Sequence, residues 1–246
     1  MSGLATRLEW LDETSSTNTL ARERAEAGER GPLWIAARRQ TAGRGRRGRS
    51  WSGLDGNLFT TGLYTLSDDP QRAAQLSFVA ALAVGDLCDA AGVPFELTRL
   101  KWPNDVLING EKLAGILLES GKAPGGGLWL AVGIGINIAV APENVERPAT
   151  SLASLGADMN RERALDILSR AFDKYFALWF RDGFGPIRDR WLVRAFGLGD
   201  RCQARLNDET VTGIFADLGP DGSLRLDLAR GERRFISAGE VFFPDS

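Results

Sequence analysis

Between Gln40 and Trp51 the chain reads QTAGRGRRGRSW, and the residues after this stretch limit the fold more than the stretch itself does. Gly43, Gly45 and Gly48 form a literal GxGxxG. A dinucleotide-binding turn of that pattern must open a helix, so that a pyrophosphate meets the helix N-terminus. Here the glycines run into Ser50, Trp51, Ser52 and Gly53 and then into a strand-like segment, so no helix is expected. The kinase glycine loop is excluded as well, because no HRD or DFG partner motif occurs. What survives is chemistry. Glycines let backbone N–H groups approach an oxyanion, and Arg44, Arg46, Arg47 and Arg49 add directional donors for phosphate or carboxylate. A solvated basic surface loop is the plainer alternative.

The surrounding pattern argues for an α+β fold with a mixed, largely antiparallel sheet. Thr6 to Asp12 alternates Leu8 and Trp10 with polar neighbours, as a half-buried strand does. TSSTNTLARERAEAGERG then offers capping residues, a helix-forming run and Gly28 as a stop, which puts Ser16, Thr17 and Asn18 at a helix N-terminus. Leu33 to Gln40 and Asn57 to Thr65 read as the strands entering and leaving the glycine-arginine loop. Pro70 to Ala91 reads as one helix with Leu76, Val79, Ala80, Ala83, Val84 and Leu87 on its apolar side. Three strand-like runs come next, ELTRLKW, KLAGILLE and LWLAVGIGINI, separated by short turns at Asn109-Gly110 and 124–127. Connections that short require antiparallel neighbours. After a loop over 139–157, Arg161 to Arg181 carries Leu165, Leu168, Phe172, Phe176 and Trp179 at helical spacing, and Pro186 to Phe196 carries Ile187, Trp191 and Leu192. From Gly197 the pattern changes to the short strands QARL, TVTGIFADL, SLRLDL and RRFIS, which predicts a small β-barrel appendage. The expected division is 1–196 and 197–246.

Composition removes whole classes of chemistry. The 246 residues include no histidine, which excludes Ser-His-Asp and Cys-His catalysis and HExxH zinc sites. A formal charge of −2 argues against a general nucleic-acid binder, so the basic cluster is local. Cys88 and Cys202 match no metal spacing and fit small buried residues of a reducing, cytoplasmic compartment. The N-terminus has no signal-like apolar region, and the apolar run Leu76 to Cys88 is expected to be too short to cross a bilayer.

KWPND, Lys101 to Asp105, supplies a cation, a turn at Pro103 and a carboxylate able to hold Mg²⁺ together with phosphate and water oxygens. Lys112 places a second cation across the Asn109-Gly110 turn. Gly115, Gly133 and Gly135 interrupt otherwise apolar strands, where glycine marks a bulge or a close approach by a ligand.

With SSTN at Ser15 to Asn18, GNLFTTGLY at Gly56 to Tyr64, KLAGILLE at Lys112 to Glu119 and GIGINI at Gly133 to Ile138, all in order, the chain resembles the biotin protein ligases. The resemblance spans most of residues 8–138, and the region after Gly197 looks like that family's SH3-like domain. It implies a catalytic domain of the class II aminoacyl-tRNA synthetase-like, biotin/lipoate ligase type. It also implies a two-step reaction: ATP and biotin form biotinyl-5′-AMP, and the biotinyl group passes to one lysine of a biotin carboxyl carrier protein.

Carried over by position, Ser16, Thr17, Asn18, Gln40, Gly43, Arg44, Gly45, Arg46, Lys112, Gly115, Gly133 and Gly135 would bind biotin. Lys112 and Arg46 would stabilise developing charge, and Asp105 would serve the metal. Trp51 would stack on adenine, with Arg47, Arg49, Asn104 and Asn137 on the nucleotide. Lys101 and Arg49 are second-rank candidates. ATP and Mg²⁺ are then the required small molecules, with no zinc, haem or nicotinamide and no membrane partner, and a homodimer is compatible with the resemblance. Some family members carry an N-terminal helix-turn-helix and repress transcription. Because the first strand begins by about Thr6, no DNA partner is expected here. A lipoate or octanoyl ligase is the nearest rival. A nucleic-acid-binding module using the basic loop and the terminal strands is a rival of another class.

Overall fold

The computed structural model describes residues 6–66, 69–143, 145 and 147–244. Seven strands make the main sheet: β1 (Arg7–Thr14), β2 (Leu33–Gln40), β3 (Leu58–Leu66), β4 (Thr98–Lys101), β5 (Asp105–Ile108), β6 (Glu111–Lys122) and β7 (Leu128–Ile136). Their order is β1-β2-β3-β7-β6-β5-β4. The helix α1 (Thr17–Glu26) carries the chain from β1 to its parallel neighbour β2, and every other pairing in the sheet is antiparallel. The mixed, mostly antiparallel sheet agrees with the short connections in the sequence. Asn109 and Gly110 take φ of 50° and 82°, the left-handed pair that a two-residue hairpin between β5 and β6 requires.

Period-two alternation divides the sheet into two faces. Leu33, Ile35, Leu63, Trp129 and Ala131 pack with Ala21 and Ala25 of α1. Trp34, Ala36, Tyr64, Leu130 and Val132 face the opposite way, into the main core. That core is closed by α2 (Pro70–Ala74), α3 (Leu76–Ala90), α4 (Arg161–Asp182) and α5 (Gly185–Val193). The α4 stripe meets the sheet through Phe172, whose ring centroid lies 5.4 Å from Trp34 and 5.3 Å from Tyr64. Asn160 caps α4 by accepting from the Arg163 N–H at 2.8 Å.

Several expectations are corrected by the fold. The segment expected as one helix from Pro70 breaks at Gln75, and the side-chain amide of Gln75 donates to Pro220 O at 3.3 Å. The stretch Arg72–Ala90 does reach the length and apolarity of a bilayer span, contrary to the reading of its apolar run as too short. It is mostly buried, and its residues are apolar all round because neighbours cover α3 on nearly every side. The three expected strand runs after Glu96 are four, since the Trp102–Asn104 turn separates β5 from β4. In β1, Leu8 is 48% exposed, because β1 is an edge strand and only Trp10 and Leu11 reach packed neighbours.

The C-terminal strands β8 (Arg201–Arg205), β9 (Thr210–Leu218), β10 (Leu224–Asp227), β11 (Arg233–Ile236) and β12 (Glu240–Phe242) form a second sheet in the order β11-β10-β9-β8-β12. The last of these was not anticipated from sequence; it is only three residues long. The second sheet packs directly against the helices and turns of the first. Phe215 lies 6.5 Å from Trp191, Trp102 Nε1 donates to Gly222 O at 3.1 Å, and Arg188 Nε donates to Leu218 O at 2.7 Å. Cys88 and Cys202 are both free and buried, as expected, and burial pushes their thiols up to about 12 and about 11.

Candidate functional site

Strand register builds the floor of the site. Phe59 of β3 pairs with Gly135 of β7, Gly135 with Gly115 of β6, and Gly115 with Asp105 of β5. Two residues along, Thr61 pairs with Gly133 and Gly133 with Leu117. Both rows lie on the α1 face of the sheet, beyond the end of α1. Glycine at 115, 133 and 135 leaves a bare backbone trough there. A cavity of about 480 Å³ opens above it.

The expected close approach to these glycines is real, but protein side chains make it. A Cβ on Gly133 would stand 2.1 Å from Asn18 Oδ1, and one on Gly135 would stand 2.4 Å from Trp51 Cε2. A Cβ on Gly115 would meet Trp51 Cζ3 at 2.8 Å. The trough therefore seats the Trp51 indole and the Asn18 amide.

At one end of the cavity stands the N-terminus of α1. Ser16 occupies the N-cap position but makes no side-chain cap hydrogen bond, so its hydroxyl is not consumed by the helix. The Thr17 N–H and hydroxyl both donate to Gln40 Oε1, at 2.7 and 3.1 Å. That orients the Gln40 amide with its nitrogen as the remaining donor. Asn18 Nδ2 donates to Leu117 O at 3.2 Å and to Glu119 Oε2 at 2.8 Å, while the Thr61 hydroxyl donates to Asn18 Oδ1 at 2.7 Å. Ser16, Thr17 and Asn18 are buried, and the latter two spend their polar groups on partners across the sheet instead of on helix capping.

The glycine-arginine loop forms the lid. It contains one short helical turn, Arg46–Gly48, closed by Gly45 N–H donating to Arg49 O at 2.7 Å and Trp51 N–H to Gly43 O at 2.9 Å. The short turn does not continue into a helix, in keeping with the rejection of a dinucleotide fold. Each arginine that lines the cavity from this loop has a partner: Arg44 ion-pairs with Glu119 at 3.1 Å, Arg46 donates to Asn104 Oδ1 at 3.2 Å, and Arg49 pairs with Glu240 of β12. Burial, then the neighbouring Arg47, pulls the Arg46 guanidinium below its ordinary pKa.

Opposite the lid, Lys112 Nζ sits 2.7 Å from Asp105 Oδ1 and 5.4 Å from the Trp51 ring centroid. Arg147 reaches Asp105 at 3.7 Å and Glu240 at 3.9 Å, which links the floor to the second sheet. Lys101 lies behind this cluster. Burial, then Arg147, lowers its ammonium to about 8.

Nearly every residue singled out from sequence converges on this cavity. Ser16, Thr17, Asn18, Gln40, Arg44, Gly45, Arg46, Arg49, Trp51, Asn104, Asp105, Lys112, Gly115, Gly133, Gly135 and Asn137 line it. Gly43 and Arg47 do not. Gly43 is packed under the Trp51 carbonyl, 2.7 Å from where its Cβ would be, and Arg47 is exposed on the turn, at φ 55°. Asn104 is already committed, accepting from Arg46 and donating to Ile116 O at 2.8 Å. Asn137 Nδ2 serves Lys112 O at 3.4 Å and Thr150 O at 3.1 Å, leaving its carbonyl oxygen to face a ligand.

Sequence reasoning missed Thr61, Glu119, Arg147 and Glu240. Strand parity could have found the first two, which share a sheet face with Phe59 and Leu117. Arg147 and Glu240 lie in a loop and a three-residue strand that carry no periodic signal. Among the described residues no three Asp, Glu or Cys side chains gather as a metal cluster, so Asp105 is the carboxylate available beside Lys112.

Two family descriptions match the chain: the biotin/lipoate A/B protein ligase family over residues 10–138, and the biotin protein ligase C-terminal domain over residues 197–243. A biotin–acetyl-CoA-carboxylase ligase of Paracoccus denitrificans is 44% identical over 239 residues, covering 95% of this chain and 99% of the relative. Among solved structures, the biotin protein ligase of Aquifex aeolicus in complex with biotin and ATP superimposes with a TM-score of 0.83 at 27% identity, over 97% of this chain and 100% of that one. The Leishmania major biotin protein ligase in complex with biotinyl-5-AMP gives a TM-score of 0.61 at 26% identity, over 96% of this chain and 100% of that one.

Proposed function

The chain belongs to the biotin/lipoate A/B protein ligase family, and from that premise we propose that its cavity condenses biotin with ATP and hands the biotinyl group to a carrier lysine. It is a biotin–protein ligase. The observation that carries the site assignment is the convergence on one trough of two unlike surfaces, the neutral Ser16–Asn18 end and the cationic end formed by Arg46 and Lys112. A substrate with a neutral hydrogen-bonding ring and an anionic tail needs both.

In this reading the ring lies against Thr17, Asn18 and Gln40. Asn18 Oδ1 accepts from a ureido N–H and Gln40 Nε2 donates to the ureido carbonyl. The valerate carboxylate points to Lys112 and Arg46. One carboxylate oxygen attacks the α-phosphorus of ATP as the bond to pyrophosphate breaks, and biotinyl-5′-AMP results. The lysine amine of the carrier then attacks the acyl carbon, AMP leaves with the bonding electrons, and the amine proton passes to solvent. Both steps build or move negative charge between fixed cations, the kind of preorganised stabilisation that needs no histidine. Lys112 exchanges its Asp105 partner for the α-phosphate, and Trp51 offers its ring to adenine. The carbonyl of Asn137 would accept from the adenine amine.

Asp105 is the residue we assign to Mg²⁺, completed by phosphate oxygens and water, the usual manner of holding this ion. When bound it would neutralise triphosphate charge. We further read residues 1–196 as a class II synthetase-like catalytic domain and 197–246 as an SH3-like barrel, in a cytoplasmic enzyme that functions without DNA and is compatible with a homodimer. Biotin-dependent release of pyrophosphate from ATP tests the first step. Release that is independent of biotin would contradict the assignment.

A further inference from the structure

Glu119 stands at the far end of the KLAGILLE strand, and a single oxygen of its carboxylate holds two partners. Its Oε2 accepts from Asn18 Nδ2 at 2.8 Å and from Arg44 Nη2 at 3.1 Å, and Arg44 also reaches Thr19 Oγ1 at 3.2 Å. One partner lies on the helix that faces the ligand ring. The other belongs to the lid.

The hydrogen-bond inventory around Asn18 is determinate. Its nitrogen faces Glu119 and the Leu117 carbonyl, and both of these are acceptors only. The two amide protons are thereby spent. Its oxygen lies 2.7 Å from the Thr61 hydroxyl, whose one proton it shares with Thr17 Oγ1 at 2.8 Å, and so keeps at least one lone pair. The amide cannot shift away from this position without leaving the trough over Gly133, where Asn18 Oδ1 fits only because no Cβ is present. A flipped amide would set its oxygen against the Glu119 carboxylate, two acceptors without a proton between them.

We propose that Glu119 is a positioning residue for ring recognition: it holds the Asn18 amide as an acceptor toward the ligand and ties that amide to the glycine-arginine lid through Arg44. The role rests on the proposed placement of the biotin ring at Asn18. It makes Asn18 select for a ring that offers an N–H at that point, and it means that lid position and ring recognition share one carboxylate.

The test measures biotin-dependent pyrophosphate release for Glu119→Ala, Glu119→Gln and Asn18→Ala. Loss of a charge-assisted hydrogen bond to a buried amide should raise the biotin KM of Glu119→Ala about tenfold, with the ATP KM within about twofold. Glutamine keeps an acceptor for Asn18 Nδ2 but loses the charge that holds Arg44. Glu119→Gln should therefore recover most of the biotin KM, while amide hydrogen exchange over residues 40–53 in the biotin complex stays faster than in the parent protein. That second readout also serves if the alanine variant does not fold.

An unchanged biotin KM in Glu119→Ala, alongside a raised one in Asn18→Ala, would overturn the proposal and leave the ring placement standing. Equal rises in both KM values without rescue by glutamine would make Glu119 merely structural, and would also overturn it. An Asn18→Ala variant with unchanged biotin KM would remove the ring placement itself, and this role with it.

Discussion

Lys112 and Lys101 show how differently two lysines of one sheet can be used. Lys112 is paired 2.7 Å from Asp105 at the edge of an open cavity, where an incoming phosphate can replace the carboxylate. Removing a preorganised charge of this kind typically costs about 10²–10³-fold in rate. Lys112→Ala should show a loss of that order in adenylate formation, with the thermal unfolding midpoint little changed; pyrophosphate release at the parent rate would contradict its role. Lys101 lies outside the lining, and burial lowers it to about 8 from 10.5. The unfolded chain thus binds the Lys101 proton more readily than the folded one, so the charged side chain opposes folding. This penalty is complete below about pH 8 and disappears as the pH rises to 10.5. Lys101→Met should therefore be more stable than the parent protein near neutral pH, with an advantage that shrinks across that window, as denaturant titrations at a series of pH values would show. Both lysines were visible in the sequence as cations near a turn. The resemblance ranked Lys112 above Lys101, but no local pattern showed that Lys101, although on the same sheet face as Asp105, sits on the outermost strand β4 and outside the cavity lining.

At the level of the elements, the strands carry the most legible part of the site. Leu33–Gln40 is a strand as expected, the Asn109-Gly110 turn fixes the β5–β6 hairpin, and the interrupting glycines fall on one face because 115, 133 and 135 share strand parity. The sequence pointed to close approaches at these glycines. It could not say that Trp51 and Asn18 make them, since the loop and helix that supply those side chains reach the trough only through tertiary packing. The distinction is measurable. Gly133→Ala must displace Asn18 and should raise the biotin KM by about tenfold or more, whereas Gly135→Ala must displace Trp51 and should fall mainly on the ATP KM. Identical effects of the two substitutions on both substrates would count against the division of the trough. Elements too short for periodicity were illegible: β5 has four residues after a proline turn, β12 has three, and the Arg147 loop has no repeat at all.

Across the whole molecule, the two sheets share a continuous core, with Trp102, Trp191 and Phe78 meeting the second sheet through Gly222 and Phe215. Sequence alone suggested a small β-barrel appendage because the strand spacing changes after Gly197, and composition carries no information about which surfaces then dock. The docking matters to the site, since Glu240 of β12 holds Arg49 of the lid and neighbours Arg147 beside Asp105. A charged trough closed by a lid and braced by a second sheet suits a reaction whose intermediate must be kept from water until a carrier protein arrives. The most direct test presents the intact protein with ATP, Mg²⁺, an isolated biotin carboxyl carrier domain, and biotin and lipoate in equimolar competition, and reads the carrier by intact mass and peptide mapping. The expected product is a single biotinyl group on one lysine, formed only when ATP is present. Attachment of lipoate in place of biotin, or of neither, would contradict it.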